Sequence, residues 1–475
     1  MTLLADLTAD EAMTSALARM LAAMLRPGQA ILLDGPVGAG KTHFARAFIQ
    51  ARQGDLVEDV PSPTFTLVQT YDDPSGTEIW HADLYRLGDV SELEELGLDD
   101  AMADSVVLIE WPDRMGEAPA GALWLRIAQA DEPGLRHISL HGQTEDWPDI
   151  ARAVQRAGFL HQAGWDDARA VPLAGDASAR RYFRLSRDAD SAVLMDDSPP
   201  GSTAAYLTMT AWLRQRDLLA PQILAQDPPA GLLLMQDLGD DLVARVLERD
   251  PALARPIYER ITDLLIDLHR HAPPDVMALD GPELAHQVGL FAEWYPQAAG
   301  TDPAPAQAIS GLIRDLHAQL CADVAPVLSL RDFHAENLIW RGEDPLGLLD
   351  FQDAVAAHPA YDLVSALQDA RRDVDPAIET AMIDRYIAAT GADARRFRAA
   401  YALLGAQRNL RIMGIFARLA LRDGKLRYLA FMPRVWGYIG RNLAHPALAP
   451  LAAIVNDLPA PTTEITDRIA ARCNA

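Results

Sequence analysis

Short apolar runs and helical periodicities alternate along the first part of the chain, which predicts an α/β fold. Thr8 and Glu11 have the spacing of a capping box, so a helix is predicted from Thr8 to about Leu25. The apolar run 29–34 predicts a strand that leads through a glycine-rich loop into a helix at 43–53. Further strands are predicted at 64–71, 78–83, 105–110, 122–129 and 136–141.

The pattern changes after the polar stretch 142–146, where we place a boundary. A helix is predicted to begin near Asp149, and the chain is mostly helical after about Asp240. Between these points the predicted strands are 181–185, 191–195 and 231–236. A small strand-rich lobe followed by a larger helical lobe is a kinase-like arrangement.

Composition narrows the class of protein. The chain has 475 residues, of which 49% are hydrophobic, which is enough for two or three domains. It has no run of about 18 uncharged apolar residues and no basic leader segment, so we expect a cytoplasmic protein without membrane association. Cys321 and Cys473 lack metal-ligand spacing, which predicts free thiols. The formal net charge of -25 disfavours tight direct binding of nucleic acid, which requires clustered Lys and Arg.

The segment 35–42 is a complete G-x-x-x-x-G-K-T loop between a predicted strand and a predicted helix. In such a loop the backbone N–H groups of Gly35, Gly38, Ala39 and Gly40 surround the phosphates of ATP. Lys41 reaches the β and γ oxygens, and the hydroxyl of Thr42 ligates Mg²⁺.

Three further side chains extend this candidate site. Thr64 lies in a switch-like segment that could present a hydroxyl to the γ-phosphate. Asp83 and Glu110 each end a predicted strand, as a Walker-B carboxylate does, so both are candidate metal ligands together with Thr42, and Glu110 is also a candidate catalytic residue. Taken alone, Asp83 could instead be a helix cap and Glu110 a surface acid.

Residues 6 to 142 resemble the bacterial TsaE family, the small ATPase subunit of tRNA threonylcarbamoyladenosine biosynthesis. The resemblance rests on the glycine loop together with the motifs 61–65 (PSPTF), 81–86 (HADLYR) and 109–112 (IEWP). It implies ATP hydrolysis that regulates the other subunits of the tRNA threonylcarbamoyltransferase complex, with Thr42, Asp83 and Glu110 near the metal. A nucleotide switch in another assembly remains an alternative for this half.

A second candidate site lies almost three hundred residues further along the chain. Asp332 and Asn337 have the spacing of a kinase-like catalytic loop, and Asp350 follows an apolar run. In this pattern the Asp accepts the proton of an attacking hydroxyl, while the Asn and the second Asp hold Mg²⁺. A single domain has no use for two such sites, so two nucleotide enzymes joined end to end are predicted.

The segments 330–340 and 347–354 resemble the aminoglycoside-phosphotransferase superfamily, and within it the amino-sugar kinases of bacterial cell-wall recycling. The resemblance covers about 150 to 470, and it implies transfer of phosphate from ATP to N-acetylmuramic acid or N-acetylglucosamine. The segment 175–184, with Ser178, Arg180 and Arg181, matches the nucleotide-side loop of that family.

One departure from the kinase pattern is Met195, at the position of the phosphate-pairing lysine; Arg180 or Arg181 is the candidate substitute. A kinase for choline or an aminoglycoside remains an alternative, as does a nucleotide-sensing module without catalysis. The predicted architecture is a P-loop NTPase α/β domain at 1–145 and a bilobal protein-kinase-like α+β domain, with an N-lobe at 146–240 and a C-lobe at 241–475.

Overall fold

The computed structural model describes residues 1–56, 59–89, 92, 96–173, 180–199 and 201–473. They form two compact units, the first with residues 1–204 and 222–237 and the second with residues 205–221 and 238–475. The predicted boundary at 145 follows a change of sequence pattern, whereas the first unit continues across it. The three predicted domain ranges therefore remain predictions, and the units are described separately.

The first unit contains two sheets. Its strands are β1 (Thr2–Ala9), β2 (Ala30–Asp34), β3 (Val68–Asp72), β4 (Glu78–Asp83), β5 (Val106–Glu110), β6 (Leu123–Gln129), β7 (Arg136–Gly142), β8 (Arg169–Leu173), β9 (Arg181–Arg187), β10 (Asp190–Asp196), β11 (Ile223–Asp227) and β12 (Leu232–Gln236). Its described helices are α1 (Glu11–Ala22), α2 (Lys41–Gln53), α3 (Leu98–Asp104) and α4 (Ile150–Gln162).

Strand β2 is the centre of a seven-stranded sheet with the order β1-β7-β6-β2-β5-β4-β3. It is parallel to β5 and β6, and β5 is parallel to β4. Both β2 and β5 are apolar at nearly every position because both faces of the sheet are covered there. The carboxyl ends of β2, β4 and β5 therefore meet at one edge, which is where open sheets of this kind bind ligands.

The predicted capping box at Thr8 is wrong. Residues Thr2–Ala9 form an edge strand in which Thr8 pairs with His137 of β7, so α1 begins only at Glu11. Asp10 is the N-cap, and its Oδ1 accepts a hydrogen bond from Met13 N at 2.7 Å. The capping-box spacing is a local signal, and it could not show that these residues pair with the distant strand β7.

The second sheet of this unit has the order β11-β12-β10-β9-β8 and is antiparallel throughout. The sequence pattern predicted β9, β10 and β12. It missed β8 and β11, which are the two edge strands and mix polar with apolar residues; β8 also contains Pro172. Met195 lies on β10 and is fully buried.

The second unit is mainly helical. Its helices are α5 (Thr203–Arg214), most of which belongs to this unit, α6 (Val243–Arg249), α7 (Ala254–Leu268), α8 (Gly281–Ala299), α9 (Ala304–Leu320), α10 (Ala360–Leu367), α11 (Pro376–Thr390), α12 (Ala394–Leu421), α13 (Met432–Leu443), α14 (Ala449–Val455) and α15 (Thr463–Cys473). Its strands β13 (Val327–Ser329), β14 (Leu338–Ile339), β15 (Gly347–Leu348) and β16 (Val355–Ala357) form the pairs β13–β16 and β14–β15. None of the described helices combines the length and the apolar character needed to cross a bilayer.

Candidate active sites

The glycine-rich loop joins β2 to α2 at the carboxyl edge of the large sheet. Gly35, Gly38 and Gly40 have φ angles of 152°, 74° and 112°, which L side chains rarely adopt. At Gly35 a Cβ atom would also lie 2.4 Å from the carbonyl oxygen of Ile127. The loop backbone is therefore kept bare next to the first turn of α2, where N–H groups and the helix dipole favour a phosphate.

Lys41 is bound to the loop that precedes it. Its Nζ donates to the carbonyl oxygens of Gly35 at 2.7 Å and Pro36 at 3.0 Å, and it lies 3.7 Å from the ring centroid of Trp111. Burial lowers the pKa of Lys41 from its ordinary value, while the nearby carboxylates of Glu110 and Asp83 oppose that shift. The ammonium group is thus held at the edge of the loop by weak acceptors.

Two buried carboxylates meet beside the loop, because the register of β4 and β5 places Asp83 next to Glu110. The hydroxyl of Thr42 donates to Glu110 Oε1 at 2.8 Å. The hydroxyls of Ser62 and Thr64 donate to Asp83 Oδ2 at 2.8 Å and 2.6 Å. Glu110 is 2% exposed and is not a surface acid. Asp83 also caps the following turn, since its Oδ1 accepts from the backbone N–H of Tyr85, so the capping interpretation holds and the metal-ligand role stays a prediction.

Three residues of this site have no role that their sequence motifs indicate. His81 Nε2 donates to Glu110 Oε1 at 3.0 Å, and both side chains are buried. Among the residues that the structure describes, His81 Nδ1 has no hydrogen-bond partner. Trp111 carries the ring under Lys41, and Arg136 Nε donates to the carbonyl of Ala39 at 3.1 Å. The alternation of β4 could have suggested His81, whereas the other two contacts need the folded register.

The oxygen atoms of Thr42, Asp83 and Glu110 form a donor set that suits a hard cation such as Mg²⁺. Within the described ranges, no three His, Cys, Asp or Glu side chains cluster closely enough to hold a metal by themselves. A metal at this edge would therefore draw on the hydroxyl of Thr42 and on the phosphates of a nucleotide, which is the usual mode for Mg²⁺.

In the second unit, hydrogen bonds to backbone carbonyls bring the segments of Asp332, Asn337 and Asp350 together. Asn337 Nδ2 donates to the carbonyl of Asp332 at 2.8 Å, so the amide oxygen Oδ1 is the atom that Asn337 could offer to a metal. Leu349 N donates to the carbonyl of Asn337 at 2.9 Å, next to the β14–β15 pair, so Asp350 follows directly. Gln352, which sequence reasoning missed, donates from Nε2 to Asp350 Oδ1 at 3.1 Å. Asp332 itself is exposed.

Asp362 anchors the start of the candidate catalytic loop, just before Asp332. Its buried carboxylate accepts from Ser329 Oγ at 2.7 Å, Leu330 N at 2.6 Å and Arg331 N at 3.1 Å. Burial raises the pKa of Asp362 to about 6, although these three bonds lower it. Arg331 and Asp350 have left-handed φ angles of 68° and 54°, which cost about 1–2 kcal/mol each in a non-glycine residue. The hydrogen bonds of Asp362 therefore stabilise a loop with strained backbone conformations.

His334 lies inside this loop. Its Nε2 is 3.4 Å from Arg371 Nη1, and within the described part of the chain its buried Nδ1 has no partner. Burial lowers the pKa of His334, with Asp369 and Asp332 opposing the shift and Arg371 adding to it. Burial therefore favours the neutral form of the His334 imidazole inside this loop.

The arginines near Met195 lie on different faces of the small sheet of the first unit. The β9–β10 register sets Tyr182 opposite Met195 and Arg184 opposite Val193, so Arg184 shares the face of Met195. Arg184 Nε is 2.7 Å from Asp237, and Arg180 Nη1 donates to Tyr182 Oη at 3.3 Å.

Arg181 points to the other face of that sheet. Its Nη1 donates to Asp149 Oδ2 at 2.7 Å, which raises the pKa of Arg181. Arg180 and Arg184 are therefore better placed than Arg181 as the cation beside Met195, and of these two only Arg184 was not a candidate from the sequence. Ser178 lies outside the described residues.

Two protein families match separate parts of the chain. The family described as threonylcarbamoyl adenosine biosynthesis protein TsaE matches residues 8–138. The family described as phosphotransferase enzyme family matches residues 169–403. The two candidate sites thus fall into two different family regions.

Curated relatives divide in the same way. The chain is 40% identical to the N-acetylmuramate/N-acetylglucosamine kinase of Caulobacter vibrioides over 349 residues, which covers 64% of this chain and 95% of the relative. It is 33% identical to the protein of that name from Pseudomonas aeruginosa, over 62% of this chain and 91% of the relative. It is 44% identical to the tRNA threonylcarbamoyladenosine biosynthesis protein TsaE of Rickettsia bellii over 104 residues, which covers 22% of this chain and 71% of the relative.

Proposed function

Because the chain belongs to the TsaE family in its first part and to the N-acetylmuramate/N-acetylglucosamine kinase family in its second, we propose which of its residues carry the two ATP-dependent activities. The first is ATP hydrolysis in support of threonylcarbamoyladenosine formation on tRNA. The second is phosphorylation of an amino sugar. One observation supports both: in each family region, short hydrogen bonds hold candidate site residues next to one another.

In the ATPase part, the backbone N–H groups of the glycine loop bind the phosphates of ATP. Lys41 exchanges its bonds to the loop carbonyls for bonds to phosphate oxygens, which are stronger because they are charge-assisted. Thr42, Asp83 and Glu110 hold Mg²⁺, which when bound neutralises phosphate charge. His81 fixes the orientation of the Glu110 carboxylate through its Nε2 bond. The surface charge disfavours direct tRNA binding, so this activity acts through partner subunits of the modification complex.

In the kinase part, Asp332 orients the sugar hydroxyl and accepts its proton as the hydroxyl attacks the γ-phosphate of ATP. Asn337 Oδ1 and Asp350 hold Mg²⁺, which when bound offsets charge on the transferred phosphoryl group. Asp362 acts through the loop backbone and keeps Asp332 in position. No lysine is available at Met195, so a neighbouring arginine on the same face supplies the phosphate cation.

The choice of that arginine leads to a paired prediction. Arg184→Met is expected to raise the KM for ATP in sugar phosphorylation by about 10-fold or more, because one charged hydrogen bond to phosphate contributes about 1.5–3 kcal/mol. Arg181→Met is the matched control on the opposite face of the sheet and is expected to change that KM by less than about twofold. Steady-state kinetics at saturating sugar measures both. A larger effect at Arg181 would restore it as the phosphate cation.

An acceptor screen on the full-length protein tests the second activity. N-acetylmuramate, N-acetylglucosamine, choline and an aminoglycoside are compared by ADP release, after subtraction of the release that occurs without acceptor. We expect stimulation by the two amino sugars only. Stimulation by choline or the aminoglycoside alone would replace the sugar assignment, and ATP binding without stimulation by any acceptor would favour a nucleotide-sensing module.

A further inference from the structure

Helix α1 of the ATPase region is buried on nearly all sides. It packs against α2, the helix that begins with Lys41, and against α4, which lies between the segments that the two families match. Buried apolar side chains from both regions join in one continuous cluster, which runs from Ala9 through the small sheet to Leu234. The main core of the first unit is thus built from residues of both family regions.

The buried side chain of Arg156 makes polar contacts on both sides of the border between the two family regions. Arg156 of α4 is 0% exposed and donates to Asp196 Oδ2 at 3.1 Å, at the end of β10. Its Nη2 is 3.0 Å from the sulfur of Met24, just after α1, and its guanidinium lies 4.8 Å from the ring centroid of Phe183 on β9. Burial lowers the pKa of Arg156 to about 10, which leaves it charged at neutral pH. One side chain therefore ties the ATPase region to two kinase strands.

Two further contacts join the regions away from Arg156. Arg19 of α1 donates from Nη1 to the carbonyl of Asp166 at 2.6 Å. At the end of α2, a Cβ atom on Gly54 would lie 2.5 Å from the guanidinium of Arg169 on β8, so the backbone of one region touches a side chain of the other. The contact between the regions is therefore spread over the C-terminal parts of α1 and α2.

The phosphate loop connects directly to this shared core. His43 follows Thr42 in the first turn of α2, and its Nε2 is 2.7 Å from Ser15 Oγ on α1. At the other end of α2, Arg52 donates to the carbonyls of Ala22 and Leu25, at the end of α1. A helix fixed at both ends moves as a body with its partner, so occupancy of the loop bears on α1 and through it on α4.

We propose that the ATPase region and the kinase strands of the first unit unfold as one cooperative body, so that nucleotide bound at the phosphate loop stabilises strand β10 of the kinase. The physical reason is linkage, since a ligand that binds only the native state of a cooperative unit stabilises every part of that unit. At a free ligand concentration of 100 times Kd, the population of the unfolded unit falls about 100-fold. The proposal rests on nucleotide binding at Lys41 and Thr42.

Amide hydrogen exchange of the full-length protein tests this, with the ATP analogue AMP-PNP and magnesium as the probe. Wild type and Lys41→Ala are compared, because nucleotide at the kinase site protects both proteins equally. For β10 amides that exchange by unfolding of the whole unit, we expect the analogue to slow exchange in wild type by up to about 100-fold more than in Lys41→Ala. Equal slowing in the two proteins, with α2 protected only in wild type, would overturn the coupling. Absence of α2 protection in wild type would overturn the nucleotide site and the inference with it.

Variants at the border sharpen the result. Arg156→Met is expected to remove the wild-type excess of β10 protection while α2 remains protected by the analogue. Arg19→Met removes a less buried contact and is used if Arg156→Met does not fold; a reduced excess is expected. Arg26→Met, at an exposed arginine of the same region, is the matched control and should keep the full excess. Full excess in a folded Arg156→Met or Arg19→Met protein would contradict transmission through these contacts.

Discussion

Asp332→Ala is expected to lower the kcat of amino-sugar phosphorylation by about 10²- to 10⁴-fold, the usual contribution of a positioned general base. The loop should keep its shape, because its bonds come from the amide of Asn337 and from Asp362 and do not involve the removed carboxylate. The KM for ATP should change little for the same reason. Sugar-dependent ADP release, corrected for release without sugar, measures the effect.

The matched control is Asp344→Ala, which removes an exposed carboxylate from the same region of the second unit. It should keep wild-type turnover, so a general loss of acidic charge can be separated from the loss of the base. Sugar-dependent turnover that survives in a folded Asp332→Ala protein would exclude Asp332 as the proton acceptor and would return attention to the neighbouring carboxylates.

Lys41→Ala is expected to lower ATP hydrolysis by the first part by about 10²- to 10³-fold, the usual cost of removing one preorganised donor from a developing charge. The variant also loses the two bonds that Lys41 makes to the loop carbonyls. The measurement is ADP release without sugar, together with threonylcarbamoyladenosine formation on tRNA in the presence of the other modification subunits. Asp332→Ala serves as the background, so that the kinase contributes no turnover.

Arg26→Ala is the control for this second experiment, because Arg26 is an exposed cation that lies outside the loop. In that variant, both ADP release and threonylcarbamoyladenosine formation should stay at the level of the Asp332→Ala protein. If Lys41→Ala hydrolysed ATP at the rate of Arg26→Ala, the phosphate loop would not be the hydrolytic site. If hydrolysis fell but tRNA modification did not, the ATPase would serve a different assembly.

The elements that the sequence predicted well are those with strong local signals. Strand β4 was predicted at its observed bounds. The strand–loop–helix order around Lys41 was predicted from the glycines of the loop, which have φ angles that other residues rarely adopt. The misses are non-local. β1 depends on pairing with β7, and β8 and β11 are edge strands whose sequences do not alternate regularly between apolar and polar residues. Apolar periodicity carries no information about such pairing.

The candidate sites divide in the same way. Motif spacing was enough to select Asp332, Asn337 and Asp350, because those residues lie within one short supersecondary unit. Residues whose role depends on a neighbouring strand were missed. His81 meets Glu110 only through the parallel register of β4 and β5, and Arg184 shares a face with Met195 only through the β9–β10 register. A one-residue slip in either pairing would remove the relationship that this pairing sets up.

The continuous core of the first unit also limits how a gene for this chain can be shortened. Ala153, Ala157 and Leu160 of α4 are almost completely buried in the core cluster that they share with α1. A deletion that removed the ATPase region would leave this helix face open to water and to other chains. One of the two activities can therefore be lost by a point substitution at its site more readily than by truncation. Because the two regions share a core, they are inherited together.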